Sequence, residues 1–129
     1  MADSYTAPIE IGRWDEGSFD GVEGQGKVTR AMVTKTYFGP IVGRSTTETL
    51  MAYAEDGSAS LVGMERIEAT IDGRRGTLVL QHVGGYADGV ATAAVTVIAG
   101  AGGGDFAGVS GDGDFRADPK PSLTLRLDG

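Results

Sequence analysis

Glu48, Glu65 and His82 are the residues of this chain whose types and spacing could move a proton. Each lies in a stretch where polar and apolar residues alternate, and counting outward from the turns between those stretches brings all three to one apolar face. Two-residue turns at Asp56-Gly57 and Asp72-Gly73 put Glu48 opposite Glu65, and Gly63 opposite His82. Directly opposed residues have Cβ atoms about 5 Å apart, and a diagonal pair such as Glu65 and His82 about 7 Å. Two carboxylates so placed on a buried face repel each other. One must hold a proton above its ordinary range, or His82 or Arg44 must neutralise it. A cluster of this kind facing a cavity suits general acid–base catalysis, with Glu65, His82 and Glu48 as the proton carriers. The plainer reading is a hydrogen-bonded polar core, and a one-residue bulge would turn Glu48 to the opposite face.

The elements that must position these residues are strands. Asp56-Gly57, Asp72-Gly73 and Asp88-Gly89 recur every sixteen residues, and Asp-Gly suits a type I′ hairpin because both central residues take positive φ. Gly39-Pro40 continues the beat upstream, and the glycine run 100–104 falls where the next turn is due. The pattern predicts eight strands over 4–14, 26–38, 42–54, 59–71, 75–86, 90–99, 112–117 and 121–128, with an acidic, glycine-rich loop from Asp15 to Gly24. Eight antiparallel strands of this length tend to close, because closure removes exposed edges. The expected fold is therefore all-β, a closed eight-stranded antiparallel up-and-down barrel of calycin-like form, with an open two-sheet sandwich as the other arrangement. Its interior would hold packed side chains or one small ligand.

Side-chain period two assigns Leu50, Ala52, Leu61, Ile67, Leu78, Leu80, Ala91, Ala93, Val95 and Val97 to the interior. Thr47, Thr49, Arg66, Glu68, Gln81 and Thr96 then face outward. Gly63 and Gly84 bracket His82 and, with the small Ala52, Ala91 and Ala93, leave that end under-filled. The expected contacts of a ligand there are Leu50, Leu61, Gly63, Ile67, Leu80 and Val95, and Gly63→Leu should fill the space at little cost in stability. Trp14 and Tyr37 read as plugs of the barrel ends rather than as a stacking platform.

Composition limits the partners. The 129 residues read as one domain, 1–129, and carry a net charge of −7 with only 11 Lys and Arg, which argues against nucleic acid and anionic membrane. There is no cysteine and a single histidine, so disulfides, thiolate chemistry and a multi-histidine metal site within one chain are excluded. No cofactor is expected. The first ten residues lack the basic and apolar regions of a signal peptide, and no apolar run approaches a membrane span; the expected compartment is the cytoplasm. The 22 glycines show no Gly-X-Y period and mark turns and bulges. The block Gly102 to Gly108 lacks the Gly-Lys-Ser/Thr of a phosphate loop. After Asp112-Gly113-Asp114, Leu123 stands where a calcium loop needs a bidentate Glu.

Asp-Gly-Ser-Ala-Ser at 56–60, Gly-Met-Glu-Arg at 63–66, Leu-Gln-His at 80–82, the glycine-rich block 102–115 and Trp14-Asp15 together resemble an uncharacterised bacterial domain family. That family is grouped with the allene oxide cyclase-like barrels, and the glycine-rich block is similar to the corresponding turn of allene oxide cyclases and dirigent proteins. The resemblance implies a closed eight-stranded barrel with a cavity. Its better-understood relatives steer cyclisation of reactive apolar intermediates. The expectation for this chain is a barrel binding one small, largely apolar molecule, with cyclase or isomerase chemistry through Glu65, Glu48 and His82. The alternatives are a lipocalin-like carrier, or a structural barrel acting through homo-oligomerisation.

Overall fold

Turn chemistry sets the architecture. The computed structural model describes residues 3–21 and 27–129. At Asp72-Gly73 both central residues take positive φ, 52° and 78°, and at Asp88-Gly89 they take 55° and 80°. These are the tight two-residue hairpins the sequence predicts. They link β4 (Ala59–Ile71) to β5 (Arg74–Ala87), and β5 to β6 (Val90–Val97). The remaining strands are β1 (Asp3–Gly21), β2 (Lys27–Tyr37), β3 (Ile41–Tyr53), a two-residue β7 (Gly103–Gly104), β8 (Ser110–Arg116) and β9 (Ser122–Asp128).

Every pairing is antiparallel, and each of eight strands bonds two neighbours: β1 pairs with β2 and β9, β4 with β3 and β5, and β6 with β5 and β8. The eight therefore form a ring, with β7 attached to Gly76 and Thr77 of β5 where the shorter β6 does not reach. Among the described residues no helix is long and apolar enough to cross a membrane.

The turn at Asp56-Gly57 departs from its expected form, and the departure decides the site. Only Gly57 takes positive φ there, at 89°. Ala54 N donates to Ser58 O at 2.8 Å and Gly57 N to Ala54 O at 3.1 Å, so the loop holds three residues and ends in a left-handed glycine. The Asp56 carboxylate is committed to this turn, accepting from Ser58 N at 2.9 Å and Ser58 Oγ at 2.7 Å. A three-residue loop shifts the register by one, so Tyr53 pairs with Ala59 and Thr47, not Glu48, lies opposite Glu65. A one-residue slip turns every side chain of a strand to the other face. Ser45, Thr47, Thr49 and Met51 are buried, while Glu48, Leu50 and Ala52 point outward.

β1 carries the second difference. The segment expected to be an acidic loop continues as strand to Gly21, paired with β2 up to Gly21 opposite Lys27. Between the pairs Ile11–Lys35 and Trp14–Val33, Gly12 and Arg13 together face Thr34, which is a bulge. Arg13 N donates to Thr34 Oγ1 at 2.8 Å. The extra residue changes which side chains face in: Ala7, Ile9 and Ile11 before it, Trp14 after it. Residues 22–24 of the expected loop, and position 26 where the second strand is expected to start, lie outside the described residues.

The interior is filled unequally. At one end Ile41, Ile67, Ile71, Leu78, Leu80, Leu123 and Leu125 are fully buried around Phe106, and the glycine-rich block closes over them. Asp105 N bonds Arg75 O at 2.9 Å and Arg75 N bonds Asp105 Oδ2 at 2.9 Å. That block is thus a cap, with Phe106 as the plug. On the outer surface Leu50, Val62 and Val83 stand in one row across β3, β4 and β5, exposed by 39%, 49% and 51%.

Candidate functional site

Glu65 sits mid-ring on β4 with its side chain fully buried. Register and pleat aim four other side chains at it. His82 Nε2 lies 2.7 Å from Oε1, Lys35 Nζ 3.6 Å from the same oxygen, and the Tyr37 and Ser45 hydroxyls both donate to Oε2. Lys35 and Tyr37 come from β2, Ser45 from β3 and His82 from β5, so four adjacent strands converge on one carboxylate. Burial pushes the Glu65 carboxyl up, but the His82 hydrogen bond, the Lys35 and His82 charges and the Ser45 hydroxyl together outweigh it and hold it at about 2. Burial, and then the Glu65 charge, raise the Tyr37 phenol well above its usual range. Tyr37 is therefore a fixed donor. Glu65 is held in its ionised form near neutral pH.

An ionised carboxylate can only accept, so Nε2 of His82 carries the proton shared with Oε1. The ring edge meets Phe115 in a T-shaped contact, centroids 6.2 Å apart.

Of the three residues expected to share one apolar face, the structure brings together only Glu65 and His82. Glu48 lies outside the ring, paired with Arg30 at 2.9 Å, because the three-residue turn reversed β3. Arg44, the other expected neutralising group, is also exposed. The cations and donors that do serve Glu65 are Lys35, Tyr37 and Ser45. Lys35 had a visible signal: it alternates in phase with Ala31, Val33 and Tyr37, an otherwise uncharged series.

Above the cluster, toward the end of the ring opposite Phe106, lies a cavity of about 370 Å³. His82, Lys35, Thr47 and Thr49 form its polar floor, Met51, Leu61, Ala91, Ala93 and Phe115 its wall, and Trp14, Tyr53 and Tyr86 its rim. Among the expected ligand contacts only Leu61 lines it. Leu50 faces out with the rest of β3, and Ile67, Leu80 and Val95 are locked into the packed core. Gly63 does not line the cavity either. A Cβ there would stand 2.7 Å from Glu48 O and 2.8 Å from Thr49 Oγ1, so the glycine lets β3 approach, and a leucine would push the strands apart instead of filling space. Ala52 is likewise outside, whereas Ala91 and Ala93 are inside as expected.

Residues 5–128 match the family described as "Protein of unknown function (DUF3224)". The chain belongs to this family. It is also similar to a solved structure from Shewanella oneidensis MR-1, a DUF3224-family protein of unknown function, at 24% identity over 99% of this chain and 97% of that one, with a TM-score of 0.85. At that identity the likeness carries the fold alone. No curated protein matches.

In this DUF3224 chain the rim is held by a residue that the sequence places in a loop. Glu16 accepts hydrogen bonds from Trp14 Nε1 at 3.0 Å, Thr29 Oγ1 at 2.7 Å and Tyr53 Oη at 2.6 Å. The Thr29 and Tyr53 bonds lower its carboxyl below the ordinary range. Two rim aromatics are thereby tied to the extension of β1 beyond its bulge, and Lys27 Nζ stands 4.8 Å from the Tyr53 ring centroid. Tyr37, expected to plug an end, instead lies mid-ring against Glu65. Among the described residues no group of three or more His, Cys, Asp or Glu is placed to hold a metal ion.

Proposed function

We propose that the ring is a closed eight-stranded barrel of the allene oxide cyclase-like kind, and that it binds one small, largely apolar molecule in the cavity above His82. The observation that carries this reading is the cavity itself. At about 370 Å³ it falls within the range typical of ligand sites, and an apolar wall converging on a few polar groups is their usual form. The opposite end of the interior is packed solid around Phe106, so the space is confined to the half that holds the polar cluster.

Ala93 is buried, faces the cavity and can be enlarged into it. Wild-type protein is expected to enhance the fluorescence of 8-anilinonaphthalene-1-sulfonate and to retain a co-purifying small molecule in native mass spectrometry. Ala93→Leu is expected to lose both while keeping its melting temperature within a few degrees. If the wild type binds no probe and carries no ligand, this reading fails.

A second reading, proton transfer within the bound molecule leading to isomerisation or cyclisation, is favoured by the pairing of His82 with Glu65. The carboxylate fixes the tautomer and orientation of the ring, in the way an acidic residue positions a catalytic histidine. Because Nε2 is taken, any proton exchanged with a ligand passes through Nδ1. Glu65 acts by positioning His82, and the apolar wall would hold the molecule in a reactive conformer. This reading separates from a lipocalin-like carrier by isotope exchange. A protein with an active base is expected to wash deuterium from heavy water into a carbon position of its co-purified ligand, and His82→Gln to stop the exchange without releasing the ligand. A carrier would return its ligand unlabelled.

A further inference from the structure

The cluster satisfies Glu65 more completely than it satisfies Lys35. The carboxylate receives hydrogen bonds from Tyr37, Ser45 and His82. The Lys35 ammonium, buried with 7% of its side chain exposed, stands 3.6 Å from Oε1. That is an ion pair, but too long for a hydrogen bond. Nζ makes no hydrogen bond among the described residues, and its other neighbour is the Phe115 ring, 4.8 Å to the centroid. Next to it on the cavity floor, Thr47 is 4% exposed and its Oγ1 is buried with no hydrogen-bond partner. A buried hydroxyl left in this state is costly and uncommon. A change of χ1 rotamer re-aims the hydroxyl, so a group arriving from the cavity can recruit it.

Both groups can donate a hydrogen bond that they do not make here, and one is a cation. The only carboxylate of the cluster is already saturated and lies behind them. What the floor lacks is an anionic acceptor entering from the cavity side. We propose that the ligand is an apolar acid, whose carboxylate or enolate is bound by the Lys35 ammonium and the Thr47 hydroxyl. Its hydrocarbon body extends past Met51, Leu61 and Ala93 toward Trp14. This names the ligand class for the cavity described above and rests on that reading. Glu65 is already paired with Lys35 and His82 at Oε1, and the incoming anion meets the cation of Lys35 from the cavity side.

Trp14 is the only tryptophan of the chain and lines the cavity, so its fluorescence reports binding of added probes. Decanoate, decanol and decylamine share one hydrocarbon body and differ in the head group. Decanoate is expected to bind at least about tenfold more tightly than decanol, with decylamine weakest, as charge complementarity at a desolvated site requires. Lys35→Met is expected to abolish the preference for decanoate and leave decanol binding in place. Thr47→Val keeps the shape and breaks no existing hydrogen bond. It is expected to leave the melting temperature of the free protein unchanged or higher while weakening decanoate several-fold. A threonine that served only the fold would give no loss of binding, and that result would overturn its part here. Decanol binding as tightly as decanoate would overturn the proposal and leave the cavity reading standing. Failure of all three probes would overturn both.

Discussion

Glu65→Gln is expected to remove about 3–5 kcal/mol of folding stability, measured by urea denaturation at neutral pH, the range found when one partner of a buried ion pair is deleted. The substitution changes one atom and no volume, so the loss is electrostatic. Both oxygens of Glu65 face donors, His82 and Lys35 at Oε1, Tyr37 and Ser45 at Oε2. The amide must therefore set its NH2 against groups that also donate. The Lys35 ammonium, within 4 Å of no other carboxylate among the described residues, would be left buried without a counter-charge. The same substitution in a Lys35→Met background should cost clearly less, because the stranded cation is gone, and the difference between the two measures the coupling of the pair. A loss below about 1 kcal/mol for the single variant, within the range of an exposed ion pair, would mean that the cluster does not depend on the charge of Glu65.

Acid should reproduce part of that loss in the wild type. The folded-state value of Glu65 lies below its ordinary one, at about 2 against 4.5, so between those values the unfolded chain binds the proton more readily. The stabilisation from Glu65 is complete above about pH 4.5 and is lost as the pH falls toward 2. At about 1.4 kcal/mol per pH unit, the full displacement corresponds to about 3 kcal/mol. The groups that hold Glu65 down are His82, Lys35 and Ser45, joined by Tyr37 as a donor, and protonating the carboxyl weakens every one of those contacts. Surface carboxylates also titrate in this window, so the informative quantity is the stability gap between wild type and Glu65→Gln. It should stay wide from pH 7 to 5 and close progressively down to pH 2. A gap that is constant with pH would show that Glu65 ionises in the folded protein as it does in the unfolded one.

These effects bear on function through rigidity. A carboxylate held by three hydrogen bonds and a cation fixes the His82 ring, and with it the direction of the one ring nitrogen open to chemistry. The cavity floor thus has a stiff, charge-satisfied side toward Glu65 and an unsatisfied side toward Lys35 and Thr47. Thr47, whose hydroxyl is buried without a hydrogen-bond partner, costs the fold stability.

What the sequence determines by itself is local. Asp-Gly at 72–73 and 88–89 admits the I′ turn because both residues tolerate positive φ, and those two hairpins lock the register of β4, β5 and β6. Glu65 and His82 come from those strands, and so do the inward Leu61, Ala91 and Ala93, so each was legible from counting. The third Asp-Gly shows where counting ends. At Asp56 the side chain bonds Ser58 and only Gly57 turns left-handed, which adds a residue to the loop and inverts β3. The pattern of β3 does not resist, since polar and apolar residues fall on both of its faces. Arg44 and Glu48 on one side were the sole hint that this side meets water. The tertiary structure alone decided the rest. The bulge at Gly12-Arg13 swings Trp14 to the cavity rim, and Lys35, Tyr37 and Ser45 meet Glu65 only because β3 lies beside β4, and β2 beside β3, in the ring. A side chain's partners across a sheet depend on registers set by distant turns, and an error of one residue in any of them exchanges the inside of the protein for the outside.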